Sequence, residues 1–184
     1  MKRILAAVLI TAALGIPCRA QRFTLGTNAA DWLSLGTLNL EASAAVAQRY
    51  SIHLGAELNP WTWNASDPDK QLQSRQGSLW SGARWWPWHV YSGWWAGVEG
   101  RYSIYNMGGI TGRETEEGDA WGGGLYGGYS IMLSGSWNLD MGLGVWGGWK
   151  KFTVYACPRC GVILDQGEKA FLMPDARIAI QYVF

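Results

Sequence analysis

The sequence predicts an all-β fold, an eight-stranded antiparallel transmembrane β-barrel threaded as an up-and-down meander. Three observations carry this. Apolar residues recur at every second position, tight turns alternate with long polar connections, and the composition is rich in Trp and Gly but poor in charge. Of 184 residues, 13 are Trp and 25 are Gly, and only 16% are charged, against a usual share of about 25%. Such a chain is not a disordered tail, because aromatics are plentiful and net charge is near zero. Nor is it a coiled coil, which draws on Ala, Glu, Lys and Leu.

Residues 1–20 read as a cleaved signal peptide. Met1-Lys2-Arg3 is basic, Ile4 to Ile16 is almost wholly apolar, and Cys18-Arg19-Ala20 sets small residues before a cut after Ala20. The apolar stretch is too short to anchor in a bilayer. A lipoprotein signal acylated at Cys18 is the rival, and Pro17 fits it poorly. Residues 21–184 then form the barrel. They carry 12 basic and 14 acidic side chains, a net charge of −2, so nucleic acid is not an expected partner.

The first segment covers 22–31, with an intermediate connection at 32–37. In 38–47, Leu38, Leu40, Ala42, Ala44 and Val46 oppose Asn39, Glu41 and Ser43. After the turn at Gln48-Arg49, 50–62 sets Tyr50, Ile52, Leu54, Ala56 and Leu58 against His53, Gly55, Glu57 and Asn59. A polar connection at 64–76 leads to 76–87, and Pro87-Trp88 breaks the chain before 91–105. A second polar connection, 106–118, precedes 119–133. Here lies an uncharged run long enough for a membrane helix, Ala120 to Leu139, but six of its residues are Gly, each costing about 1 kcal/mol relative to Ala. Beyond Ser134-Gly135, 136–152 sets Trp137, Leu139, Met141, Leu143 and Val145 against Asn138, Asp140, Gly142 and Gly144. The connection at 153–169 leads to 170–184, where Ala176, Ile178, Ile180, Tyr182 and Phe184 oppose Asp175, Arg177, Ala179, Gln181 and Val183. Period two is the strand signature. Short turns at one end and long loops at the other place both termini on the periplasmic side of an outer membrane. A soluble, lipocalin-like barrel would show a polar face rich in Lys and Glu; here that face is mostly Gly, Ser and Asn.

Trp61, Trp63, Trp85, Trp86, Trp88, Trp94, Trp137 and Trp149 fall near segment ends and are assigned to aromatic girdles. The inward set is Glu41, His53, Glu57, Arg84, Glu99, Arg101, Asp140 and Arg177, with Asp175 near the rim. An eight-stranded barrel is just wide enough to be filled by side chains, and charges inside it must pair. A closed polar plug is expected; a gated proton or ion path is the alternative. Ser43, His53 and Glu57 share the inward face and are the residue types of a nucleophilic triad. Four residues along a strand, however, span about 13 Å.

Cys157 and Cys160 lie in the last loop. An intraloop disulfide is the default in an exported chain, a redox-labile pair is the alternative, and two thiols alone cannot complete a zinc shell. Glu114, Glu116, Glu117 and Asp119 read as a solvated acidic tip without EF-hand spacing. No catalytic residue, cofactor or metal ligand is assigned. Ile180, Tyr182 and Phe184 form a terminal face that resembles the signal read by barrel-assembly machinery.

Several stretches occur together in order: Thr27-Asn28, Asn59-Pro60-Trp61, Arg84-Trp85-Trp86, Tyr105-Asn106 with Gly108-Gly109, Trp137-Asn138-Leu139 and Cys157-Pro158-Arg159-Cys160-Gly161. This run resembles the small outer-membrane barrels of domain-of-unknown-function family 3575, found in Gram-negative anaerobes, over essentially the whole mature chain. The resemblance implies location and fold but no established activity. Some members sit beside fimbria-related genes, which implies a role at the cell surface. Members commonly carry a basic residue just before the first Thr-Asn, where this chain has Gly26. The expected function is therefore structural or interactive, as an integral outer-membrane barrel. Its expected partners are outer-membrane lipids, the assembly machinery during biogenesis, and a surface or outer-membrane protein. A lipid A or phospholipid acyl hydrolase or transferase and a small gated pore are the alternatives.

Overall fold

The alternation resolves into eight antiparallel strands that pair in chain order and close into a barrel. The computed structural model describes residues 22–67, 70–109 and 112–184; the expected signal peptide at 1–20 lies outside them. The strands are β1 (Phe23–Asn28), β2 (Leu38–Ala47), β3 (Tyr50–Trp63), β4 (Leu72–Trp85), β5 (Gly93–Gly108), β6 (Thr115–Met132), β7 (Trp137–Tyr155) and β8 (Ile163–Val183), with a short helix α1 (Ala29–Leu33) between β1 and β2. Followed round the ladder, Thr24 leads through Ser43, His53, Gly82, Glu99, Gly124 and Trp146 to Met173, yet β8 presents Val183 to Thr24 itself. The offset from Met173 to Val183 is a shear of ten residues, and closure with that stagger tilts the strands by about 40°.

Several boundaries differ from the sequence reading, with β4 and β6 each starting four residues earlier and β5 and β7 each ending three later, and two further differences have a clear physical reason. The first strand ends at Asn28, not at 31, because the Asn28 side chain accepts from Ala30 N and caps α1. The last strand starts at Ile163, not at 170. Residues 163–170 are exposed on both faces, so nothing buries one face there and no alternation marks the strand. The polar connections accordingly shrink to 64–71, 109–114 and 156–162. The acidic tip is also redistributed. Glu116 turns inward to Lys150 and Tyr105, whereas Glu117 accepts from Asn106 and Tyr155.

Outward side chains form a continuous apolar band. At the end holding the termini, Tyr50, Trp85, Trp94, Tyr129, Trp137 and Tyr182 are exposed in a row. Trp94 and Tyr129 touch edge-on, as do Trp137 and Tyr182. A second exposed row, Tyr102, Trp121 and Trp149, follows the ladder across β5, β6 and β7. Among the described residues, no Asp, Glu, Lys or Arg faces outward between the rows; Arg75, Asp119, Lys151 and Glu168 come just beyond the second.

The girdle assignment needs correction at three tryptophans. Trp86 is fully buried, because the turn 86–92 folds back under the barrel and packs Trp86 against Tyr91, Trp95 and Val183 as a floor. Trp61 and Trp63 fall on the lumenal alternation of β3, two and four residues beyond Asn59. Trp61 turns its indole N–H onto the carbonyl of Gly36 at 2.9 Å, in the segment that leads into the neighbouring strand β2.

Candidate functional site

The charged side chains of the strands meet in the lumen, which makes the lumen the candidate site. Inward positions on β2, β4, β7 and β8 bring Glu41, Arg84, Asp140 and Arg177 together. Arg177 grips Glu41 with two parallel bonds of 2.8 and 2.7 Å and reaches Asp140 with Nε at 2.8 Å. Arg84 donates to Glu41 at 2.9 Å and lies 3.5 Å from Asp140. The carboxylates also accept from indoles, Trp95 Nε1 to Asp140 at 2.6 Å and Trp80 Nε1 to Glu41 at 3.2 Å. Two acids and two bases thus neutralise each other with the lone pairs taken up, the condition under which buried ions are tolerated.

A second cluster sits nearer the mouth. Arg101 bonds Glu99 at 3.0 Å and Asp175 at 2.9 Å, with its guanidinium over the rings of Trp80 and Trp146. Tyr126 donates to Asp175 at 3.2 Å, and His53 Nε2 lies 3.4 Å from Glu99. Glu57 stands apart from these and accepts from Ser78 at 2.6 Å. The triad residues are not assembled: the Ser43 hydroxyl faces Tyr91 at 3.3 Å while His53 faces Glu99.

Sequence reasoning missed Asp31 and the lumenal aromatics. Asp31, on α1, hangs over the second cluster and accepts from Asn28 at 2.9 Å. Glu57, Asp175 and Arg101 are the charged groups that act on it. Asn-Ala-Ala-Asp is a helix N-terminal pattern, an Asn cap with an acid in the first turn, so this signal was available. Trp80, Trp95 and Trp146 were readable too, since each sits on the alternation that holds the charges.

Side-chain amides fasten the connecting segments at both ends to the neighbouring strands. Asn59 donates to Leu35 O, Thr37 Oγ1 and Ser74 Oγ, and Asn39 and Asn28 exchange bonds across the base of α1. At the floor, Asn138 donates to Tyr91 O at 2.7 Å. Beyond the rim, Cys157 and Cys160 are bonded to each other at the tip between β7 and β8, and Arg159 donates to Ala65 O in the neighbouring loop.

A family described as protein of unknown function (DUF3575) matches residues 4–184. The chain belongs to this family. No curated protein matches it. Within this DUF3575 barrel, Thr27-Asn28, Asn59-Pro60-Trp61 and Trp137-Asn138 are the stretches that fasten the connecting segments at the two ends. Gly26 replaces the basic residue that the resemblance led one to expect, and no side chain fits there: a Cβ would lie 2.7 Å from the Ile180 carbonyl and from Gln181 Cγ. No base on β1 therefore enters the lumenal network.

Proposed function

We propose that this protein is an integral outer-membrane barrel with a side-chain-filled lumen, serving a structural or interaction role at the cell surface. One observation carries the reading: the outward band free of charge and bounded by two aromatic rows. Trp94 and Tyr102 are eight residues apart on β5, and Trp137 and Trp149 twelve on β7. At about 3.3 Å per residue and a tilt of about 40°, the rows are roughly 20–30 Å apart. The apolar band of a membrane barrel is about 25 Å tall. A soluble barrel has no use for such a belt, because exposed apolar surface of that extent drives association.

Strand lengths rise from 6 residues in β1 to 21 in β8, so β6–β8 stand above the belt as a crest. Its tip exposes Val162, Ile163 and Leu164 beside the disulfide. In this reading the crest is the surface offered to a protein partner. The test is fractionation of the native cell envelope followed by protease shaving of intact cells. The protein is expected to resist extraction from the membrane by alkaline carbonate and to lose only the 156–162 tip to protease. Release by carbonate, or protection of the tip on intact cells, overturns the proposal.

A further inference from the structure

The barrel wall is incomplete on one side. β1 pairs with β8 only from Val183 to Ala179, while the outward belt on β8 continues to Ala170, opposite Trp149. Above Ala179 the free edge of β8 is covered for one more step by the Asn28 side chain, which accepts from Ile178 N at 2.8 Å and approaches Ala176 O at 3.5 Å. Farther up, Pro174 has no N–H to offer a partner strand. β1 ends five residues above Phe23, or about 13 Å up the barrel. The gap thus opens in the half of the belt away from the termini.

The gap is filled by α1, and α1 is weakly held. None of its five residues is buried; Leu33 is 89% exposed and Trp32 also faces out. Its fixed points lie at its ends, at Asn28 on one side and at Gly36 and Thr37 under Trp61 and Asn59 on the other. A short segment with few buried contacts is the kind that opens below the global unfolding free energy.

Behind α1 lies a cavity of about 30 Å³ lined by Asp31, His53, Glu99, Arg101, Asp175 and Arg177, among others. That is room for little more than a water while α1 is in place. Its chemistry is asymmetric. Around the cavity the carboxyls (Asp31, Glu41, Glu57, Glu99, Asp140 and Asp175) outnumber the guanidiniums (Arg84, Arg101 and Arg177) six to three, and with Glu116, Lys150 and Lys169 nearer the mouth the lumenal acids still exceed the bases seven to five. His53 is buried, and its Nδ1 has no partner among the described residues. Excess negative charge calls for a cation, and carboxylate oxygens are met best by one that carries N–H groups. A bare metal ion is less suited, because no three His, Cys, Asp or Glu groups converge among the described residues.

We propose that the seam between β8 and β2 is a lateral doorway from the lipid phase, that α1 is its door, and that the lumen behind it binds the primary ammonium of a lipid headgroup. This rests on the membrane placement proposed above. The floor of Trp86 closes the axial route at the end that holds the termini, and the gap beside β8 offers a way in from the side. A swing of α1 brings the ammonium to the place below Asp31, between Asp175 and Glu57, while the acyl chains stay outside along Leu172 and Ile178.

The full-length barrel in phosphatidylcholine vesicles tests this, with a few per cent of phosphatidylethanolamine or phosphatidylcholine carrying the same photoactivatable acyl chain. The ethanolamine lipid is expected to label α1 and residues 172–178 at least fivefold more than the choline lipid. Asp175→Asn is expected to bring the ratio below twofold. Glu57→Gln, which leaves the Arg101 ion pairs intact, is expected to lower it with unchanged heat-modifiable mobility on gels. Equal labelling by the two lipids, or labelling spread evenly round the belt of an inserted barrel, overturns the doorway. Loss of the preference on adding millimolar free ethanolamine shows that the amine arrives through water and overturns the lateral route. A chain that does not float with the vesicles fails at the earlier step, the membrane placement itself.

Discussion

An indole laid flat against a neighbouring strand leaves no space for a side chain opposite it, and much of the glycine excess follows from this. A Cβ on Gly55 would lie 2.3 Å from the ring of Trp80, one on Gly142 2.8 Å from Trp95, and one on Gly144 2.2 Å from Tyr126. These inward aromatics also donate to the buried acids, Trp80 to Glu41 and Trp95 to Asp140. Each glycine is thus part of the ion network at one remove, because it lets the donor lie where the carboxylate needs it. Gly55→Ala is expected to lower stability by about 1–3 kcal/mol, the usual cost of overpacking, seen as a lower urea midpoint in bilayer unfolding. The loss should shrink on a Trp80→Leu background, where the clash is gone, and such non-additivity identifies contact as the cause. Glu41→Gln acts through charge instead. It leaves Arg84 and Arg177 sharing only Asp140, and is expected to cost about 3–5 kcal/mol in the same assay.

At the scale of elements, α1 stands out because it is held at its ends and not along its length. Hydrogen exchange of the amides from Ala30 to Ser34 is expected to be faster than that of the β5–β6 ladder, and Asn28→Ala, which removes the cap, is expected to speed it further. α1 also marks where the sequence stops being legible. Strands β2, β3 and β7 are plain because one face meets the lumen charges and the other does not, which forces strict alternation. The upper part of β8 has no such contrast, and its pairing to β7 leaves no periodic trace. Trp61 was misplaced for a related reason. Its parity agreed with the lumen, but its position near a strand end resembled that of a girdle residue.

For the whole molecule, the question is whether the lumen conducts. Its middle is crossed by Arg84 and Asp140, the latter with no exposed surface, and its floor by Trp86, also with none. The cavity of about 30 Å³ is lined by Arg84 and Arg177 and stops short of Trp86. A hydrated ion crossing would have to break the Glu41–Arg177 pair and pass the Trp86 floor, and each broken buried pair costs several kcal/mol. The barrel in planar bilayers is therefore expected to show no steady conductance above leak at neutral pH. Opening of α1 does not change this, because the doorway leads sideways into lipid and the floor stays in place. A reproducible open state in the unmodified chain would mean that the floor or the central pair moves, and would reassign the protein as a gated pore. If the sealed reading holds, the double variant Arg84→Ala with Trp86→Ala should be the one that leaks. It removes one group from the floor and one from the centre along the same axis, while Arg177 still neutralises Glu41.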